Sequence, residues 1–285
     1  MLLRLAELLA VLFQTFVTPS IPFTTTPARL SMPPLSAMPD VSALAVFLID
    51  MDKGRILAAK QADAPRPIAS ITKLMTALVV LDANPDWARP IVFEARDQRY
   101  GDSTRIMAGE ELTMGDAWNL MLVSSSNDAA SLLARIVGGS EEKFVEAMNK
   151  KARTIGLTRT HFQDPTGLEK GNISTAREVA ILARAAFSFS KTRDAVTQTQ
   201  TVFTPKGKSQ RVSRATDQLL YWFRIPGVRI FGGKTGHIEE SGYNLVFAAG
   251  DTDHEFIGVV LGSETNNARF EEMSKLLKWG FENVK

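Results

Sequence analysis

Residues 67–76 read Pro67-Ile68-Ala69-Ser70-Ile71-Thr72-Lys73-Leu74-Met75-Thr76, and an apolar run, Leu74, Met75, Ala77, Leu78, Val79, Val80 and Leu81, continues from them. The run looks like a helix buried on most of its sides, and one helical turn sets Lys73 beside Ser70. A serine hydroxyl is a weak nucleophile until a neighbouring base takes its proton. A lysine can be that base only where burial or nearby positive charge lowers its pKa. A buried helix supplies the burial, and its N-terminus adds backbone amides and a partial positive charge that stabilise an oxyanion. Ser-x-x-Lys occurs again at Ser140–Lys143 and Ser188–Lys191, so the spacing alone selects nothing. Ser140 follows Gly138-Gly139 and opens a charged helix, where it reads as an N-cap. Ser188 ends a helical run with no apolar pocket around it. Even Ser70, taken alone, reads more simply as a cap with Lys73 snorkelling to solvent.

Outward from this segment, an apolar run over 43–49, a turn over 50–54 and a second run over 55–60 predict a β-hairpin. Apolar spacing of three and four predicts helices over 71–82, 114–123, 128–137, 141–154 and 176–187. Thr113 with Asp116, and Thr175 with Glu178, have capping-box spacing. Strands are predicted over 230–237, 243–249 and 255–262, then an amphipathic helix over about 266–282. Strands at both chain ends around a helical middle suggest one α/β (α+β) unit. Its termini share a sheet, and a helical lobe of about 70–225 is inserted between them. A cleft between sheet and lobe is the default site.

The 285 residues are 45% apolar and 22% charged, which excludes a disordered, collagen-like or polytopic membrane chain. A formal charge of +2 gives no electrostatic footprint for nucleic acid. The chain has no cysteine, hence no disulfide, thiolate metal site or cysteine nucleophile. His161, His237 and His254 lack metal-ligand spacing, so neither a metal nor a cofactor is expected. Gly232-Gly233-Lys234-Thr235 lacks the remainder of a phosphate-binding loop, and no Gly-x-Ser-x-Gly elbow is present. At the N-terminus, Arg4 precedes an apolar run from Leu8 to Val17, the length of a secretory signal core and too short to span a bilayer. Arg4, Glu7 and Gln14 near one helical face fit a membrane-surface helix as the rival reading. Pro19, Pro22, Pro27, Pro33, Pro34 and Pro39, with Ser and Thr between, mark a linker. The expected organisation is a leader or membrane-proximal helix over 1–18, a Pro-rich linker over 19–40 and a catalytic domain over 41–285.

Two further motifs change the reading of Ser70. Ser125-Ser126-Asn127 lies between two helical segments and Lys234-Thr235-Gly236 lies on a late strand, each occurring once. Ser-x-x-Lys, Ser-x-Asn and Lys-Thr-Gly in this order are the motif set of penicillin-binding proteins and class A β-lactamases. From about residue 42 to 285 the chain resembles the low-molecular-mass penicillin-binding proteins, the serine D-alanyl-D-alanine carboxypeptidases and endopeptidases. The resemblance extends to Asn127-Asp128-Ala129-Ala130, Asp164-Pro165-Thr166-Gly167-Leu168, Ser174-Thr175-Ala176-Arg177-Glu178, Lys234-Thr235-Gly236-His237 and Gly242-Tyr243-Asn244-Leu245. Ser126 departs from the Gly common at that free position, and Ser124 leaves the register of the second motif ambiguous.

The resemblance implies a β-lactamase/transpeptidase-like fold, an antiparallel sheet with helices packed on it and an all-helical lobe. It implies that Ser70 attacks the carbonyl of a D-alanyl peptide bond with Lys73 as base, and that Ser125 relays a proton to the leaving amine. Asn127 would hold the substrate amide. Lys234 would hold the Ser125 hydroxyl and attract the substrate carboxylate, which Thr235 would bind. Gly236 and His237 complete the substrate-binding strand, with the backbone amides of Ser70 and His237 as oxyanion hole. The implied partners are peptidoglycan stem peptides, with β-lactams as covalent inhibitors, outside the cytoplasmic membrane and in contact with it only through an uncleaved leader. A chain ending at Lys285, straight after the closing helix, is similar to the short endopeptidase type. A serine β-lactamase would need a loop glutamate, for which Glu169 is the candidate. A non-catalytic peptidoglycan-binding protein on the same fold should have lost the nucleophile or the base, and neither is lost.

Overall fold

In the computed structural model residues 38–102 and 104–284 are described; the expected leader and the linker as far as residue 37 lie outside them. β1 (Ala45–Asp50) and β2 (Arg55–Lys60) form the predicted hairpin, whose turn is held by the Asp50 carboxylate accepting the amides of Asp52 and Lys53. After β3 (Arg66–Pro67) come a single 3-10 turn (Ala69–Thr72), α1 (Lys73–Asp82), the short pair β4 (Pro90–Val92) and β5 (Glu111–Thr113), and α2 (Met114–Val123). Then follow α3 (Asn127–Gly138), α4 (Glu141–Thr154), β6 (Ile173–Ser174), α5 (Ala176–Phe187), α6 (Ser190–Val196), the hairpin β7 (Gln200–Phe203) and β8 (Arg211–Arg214), and α7 (Leu219–Trp222). β9 (Arg229–Ile238), β10 (Gly242–Gly250), β11 (Glu255–Ser263) and α8 (Asn266–Asn283) complete the chain.

The five longest strands make one antiparallel sheet in the order β2-β1-β11-β10-β9. Early and late strands therefore share the sheet, with Phe47 opposite Val259 and Ile49 opposite Ile257. Alternation along each strand sorts the two faces. Ala45, Phe47, Ile257, Val259 and Leu261 join the helical middle in one core; Val46, Leu48, Phe256 and Val260 join Phe270, Met273, Leu276 and Leu277 of α8 in another. α1 packs against α2, α3, α4 and α5. Leu74, Met75, Ala77, Leu78, Val79 and Val80 are all buried, together with Lys73. A helix without a polar face leaves its first residue, Lys73, no route to water.

Three local expectations are revised. Ser70 stands on the 3-10 turn, and the α-helix begins only at Lys73. The inserted region is helical except for the pairs β4–β5 and β7–β8 and for β6, which pairs with β3; strands of two to four residues are too short to carry a period-two signal. The capping box is complete at Thr113–Asp116 but not at Thr175–Glu178. There Thr175 accepts the Glu178 amide, while the buried Glu178 carboxylate turns away to take the amides of Thr158 and Arg159 and the Thr160 hydroxyl. Among the described residues no helix is long and apolar enough to cross a membrane.

Glu178 thus ties the loop after α4 to the start of α5. Glu178→Ala would leave two backbone amides without acceptors, a loss of about 2–4 kcal/mol. Chemical denaturation should show the unfolding free energy falling by that amount, through a lower midpoint with the slope unchanged.

Candidate active site

Lys73, fully buried, is the hub of the site. Its Nζ lies 2.8 Å from Ser70 Oγ, 2.7 Å from Asn127 Oδ1 and 2.7 Å from the Thr166 carbonyl oxygen. Asn127 is oriented by its own amide nitrogen, which donates to the Tyr100 carbonyl at 3.3 Å. Two of the three Lys73 contacts can therefore only accept, and they take two N–H groups. In the neutral amine the remaining lone pair points at the Ser70 hydroxyl, the arrangement a general base requires. Burial pulls the Lys73 pKa down to about 7, with Asp164 and Asp102 working in the opposite direction. The expected substrate contact of Asn127 has a second partner here, since its carbonyl oxygen is engaged by Lys73 in the structure.

The Thr166 carbonyl is placed by Asp164, whose buried carboxylate accepts the amides of Thr166, Gly167 and Glu169, the Thr166 hydroxyl and the Asn172 side-chain amide. α1 grips the same loop through the Thr76 hydroxyl, which donates to the Pro165 carbonyl. Glu169 is exposed at the loop surface. Asn244 on β10 donates to the Pro67 carbonyl at 3.2 Å and accepts the Gly262 amide at 2.8 Å, tying the nucleophile segment to the sheet.

The serine run resolves into three separate tasks. Ser124 donates to the Leu120 carbonyl within α2, and Ser126 caps α3 by accepting the Ala129 amide while donating to Asp102. Ser125 alone meets Lys234, whose Nζ donates to Ser125 Oγ at 2.7 Å and to the Thr235 carbonyl at 3.1 Å. Neither Ser124 nor Ser126 makes a hydrogen bond to Lys234. Lys234 is buried, and desolvation together with the positive charges of Lys73 and Arg269 lowers its pKa well below the usual lysine range, against the pull of Asp217. Thr235 Oγ1 shares a hydrogen bond of 2.6 Å with Thr216 Oγ1. The exposed His237 ring stacks on Tyr243 with centroids 4.0 Å apart, and its Nδ1 lies 3.1 Å from the Gly242 carbonyl.

Steric demands surround the nucleophile. Ala69 has φ +47° and Ser125 φ +62°, left-handed conformations that cost on the order of 1–3 kcal/mol in a non-glycine residue and gather at functional sites. A Cβ on Gly236 would stand 2.6 Å from the Ile68 carbonyl oxygen and 3.2 Å from the Ser70 nitrogen, so β9 and the nucleophile turn touch backbone to backbone. Hydrogen bonds thus join Ser70, Lys73 and Asn127 in one group and Ser125, Lys234 and Thr235 in another, and Gly236 abuts the Ser70 turn. Ser140 caps α4 and Ser188 bonds back onto α5, as their sequence contexts suggest. Sequence reasoning missed Thr216, Asp217 and Arg269. The first two stand in a polar loop without a motif, and Arg269 sits on the predicted amphipathic helix, where a charge looks solvated.

Residues 33–265 match the family described as D-alanyl-D-alanine carboxypeptidase. The chain is 34% identical over 255 residues to the D-alanyl-D-alanine carboxypeptidase DacC of Escherichia coli, covering 85% of this chain and 62% of that protein. It is 32% identical over 252 residues to a D-alanyl-D-alanine endopeptidase of Haemophilus influenzae, covering 86% of this chain and 85% of that one. In three dimensions it is similar to the Streptomyces K15 DD-transpeptidase, with a TM-score of 0.80 at 28% identity over 86% of this chain and 99% of the other.

Gly236→Ala should drive β9 from the nucleophile turn. Overpacking against backbone costs about 1–3 kcal/mol, so the melting temperature should fall by several degrees, and a structure of the variant should show Ser70 Oγ displaced from Lys73.

Proposed function

The chain belongs to the D-alanyl-D-alanine carboxypeptidase family, and from that premise we propose that it hydrolyses D-alanyl peptide bonds of peptidoglycan through an acyl-serine intermediate. The observation that carries this reading is the Lys73 amine, with two N–H groups held by carbonyl oxygens and the Ser70 hydroxyl as its third neighbour. Ser70 Oγ bonds to the substrate carbonyl carbon as its proton passes to Lys73. The negative oxygen is received by the amides of Ser70 and His237. The C–N bond breaks as Ser125, polarised by Lys234, protonates the leaving amine and takes back the proton held by Lys73; water, losing a proton to Lys73, then cleaves the ester, and that proton returns to Ser70 Oγ as it leaves. Thr235 and Lys234 receive the carboxylate next to the scissile bond, and Asn127 the substrate amide. The substrate is a stem peptide, cleaved at its terminal D-Ala or at a cross-link, and β-lactams enter as acylating analogues. The exposed position of Glu169 favours a peptidase over a β-lactamase. The substrate lies outside the cytoplasmic membrane, so the run from Leu8 to Val17 fits an export signal, residues 19–40 a spacer and residues 41–285 the catalytic domain. Membrane contact is through the leader where it stays uncleaved.

A fluorescent penicillin should label the protein stably, with the adduct on Ser70 by mass spectrometry. Ser70→Ala should lower the acylation rate by roughly 10⁴ to 10⁶. An adduct on another serine would overturn the mechanism, and rapid turnover of the penicillin would point to a β-lactamase. Free D-Ala and the dimer-to-monomer ratio of muropeptides, followed side by side, distinguish the two bonds.

Lys73 holds its extra proton below its pKa of about 7 and loses it above, and only the neutral amine accepts the Ser70 proton. Acylation should therefore rise with pH through about 7. Lys73→Arg should be close to inactive at every pH, because a guanidinium stays protonated.

A further inference from the structure

β9 presents two faces. Gly232, Lys234 and Gly236 face the helical lobe, where a Cβ on Gly232 would meet Val196, Lys234 reaches Ser125 and Gly236 abuts Ile68. Gly233 and Thr235 face the other way. There a Cβ on Gly233 would fall 2.2 Å from Asp217 Oδ2 and 2.7 Å from Phe247 Cδ2, so the Asp217 carboxyl fills the space a side chain at 233 would occupy. Asp217 is buried beside Thr216, the hydrogen-bond partner of Thr235. Its Oδ1 accepts the Leu219 amide at 3.0 Å, and its Oδ2 has no hydrogen-bond partner among the described residues. An unpartnered carboxylate oxygen in a dry site strongly disfavours the charged form.

The charged groups facing Asp217 are Lys234 from β9 and Arg269 from α8; β10 contributes Phe247. Arg269 is itself held by other acceptors, donating to the carbonyls of Gly236 and Asn244 and to Asn266. Lys234 donates on the opposite face of β9. Neither cation makes a hydrogen bond to Asp217, and burial holds the acid up at about 7 against both. The proton on Asp217 is thus exchanged in the range where the enzyme would operate.

We propose that Asp217 is a specificity-determining residue whose proton sets recognition of the substrate's C-terminal carboxylate, because its buried carboxyl fills the space over Gly233, two residues before Thr235 on the same face of β9, and follows Thr216, the hydrogen-bond partner of Thr235. Protonated, it is uncharged and leaves the positive charge of Arg269, and of Lys234 when that is protonated, unopposed. Ionised, it opposes them and repels a second carboxylate. This inference rests on the peptidase reading, which supplies the carboxylate.

The test separates binding from chemistry by using the full chain carrying Ser70→Ala. Binding of a D-alanyl-D-alanine peptide and of its C-terminal amide is followed by NMR titration between pH 6 and 8. One unit charge through a few ångströms of protein is worth on the order of tenfold in affinity. The acid peptide should weaken by about that factor across the range, the amide should stay level, and adding Asp217→Asn should level the acid peptide as well. Asparagine keeps the acceptor for the Leu219 amide and the volume under Gly233. If that variant does not fold, the carboxyl carbon shift of Asp217, followed by NMR in the protein that retains it, should titrate in step with the weakening of the acid peptide; a carboxyl that titrates outside pH 6 to 8 would overturn the inference. A loss that persists in the Asp217→Asn variant would assign the titration to Lys73 or Lys234 and overturn the inference, as would an equal loss for the amide or none for the acid. Failure of both peptides to bind at any pH would refute the peptidase reading together with it.

Discussion

Everything at this site depends on keeping one amine dry. The three contacts of Lys73 come from the 3-10 turn, from α3 and from the loop 164–172, so the amine joins three separate parts of the chain at one point. A lysine placed there with a full charge would carry a large desolvation penalty. The protein lowers that penalty by letting the proton leave near neutrality, and the vacated lone pair is what chemistry at Ser70 needs. Stability and reactivity are here two descriptions of the same burial. The carbonyl acceptors matter as much as the apolar wall of α1, since they occupy the N–H groups that could otherwise turn toward the nucleophile.

The positioning is done by backbone rather than by large side chains. Ala69 and Ser125, both left-handed, sit on the two segments that carry the hydroxyls, and each conformation redirects the chain within one residue. Gly167, at φ +88°, approaches the turn from the loop side, where a Cβ would stand 2.1 Å from the Ala69 carbonyl oxygen, and Gly236 approaches from β9. The nucleophile turn is thus clamped between two glycine backbones. Such a clamp holds Ser70 without filling the cleft, which a clamp of side chains could not do. Asp164 stiffens one jaw through its five donors, and the sheet stiffens the other.

Much of this was legible because each long element repeats its signal many times over. The strand alternation and the helix spacing place the sheet at both chain ends and α1 in the middle, and the three motifs lie where those elements meet. The misses have a common cause. β4, β5, β7 and β8 are too short to repeat a pattern, and their existence depends on partners distant in sequence. Glu178 has capping-box spacing, yet its carboxylate is claimed by the 158–160 loop, which offers two amides and a hydroxyl where the cap offers one amide. The register of Ser124, Ser125 and Ser126 could not be read at all from one dimension, since only the position of Lys234 across the cleft tells them apart. Asp217 and Arg269 escaped for the same reason: their chemistry lies in what is packed around them.

The two buried lysines pose a problem that the surrounding charges resolve unequally. Burial lowers the readiness of both to hold a proton, and the charges of Lys73 and Arg269 add to the pressure on Lys234. Asp164 and Asp102 support a charge on Lys73, but their carboxylates are spent on the loop and on the cap of α3, so neither touches the amine. The balance at Lys73 therefore falls to burial. Lys234 has only Asp217 in support, across the strand and without a hydrogen bond. A substrate carboxylate arriving at Thr235 changes that balance, because it brings the negative charge that Lys234 lacks. Binding should then favour the ammonium on Lys234, and a charged Lys234 in turn favours the neutral amine on Lys73. Under the proposed mechanism, seating the carboxylate would then also ready the base, through the charge on Lys234 rather than by movement of the chain.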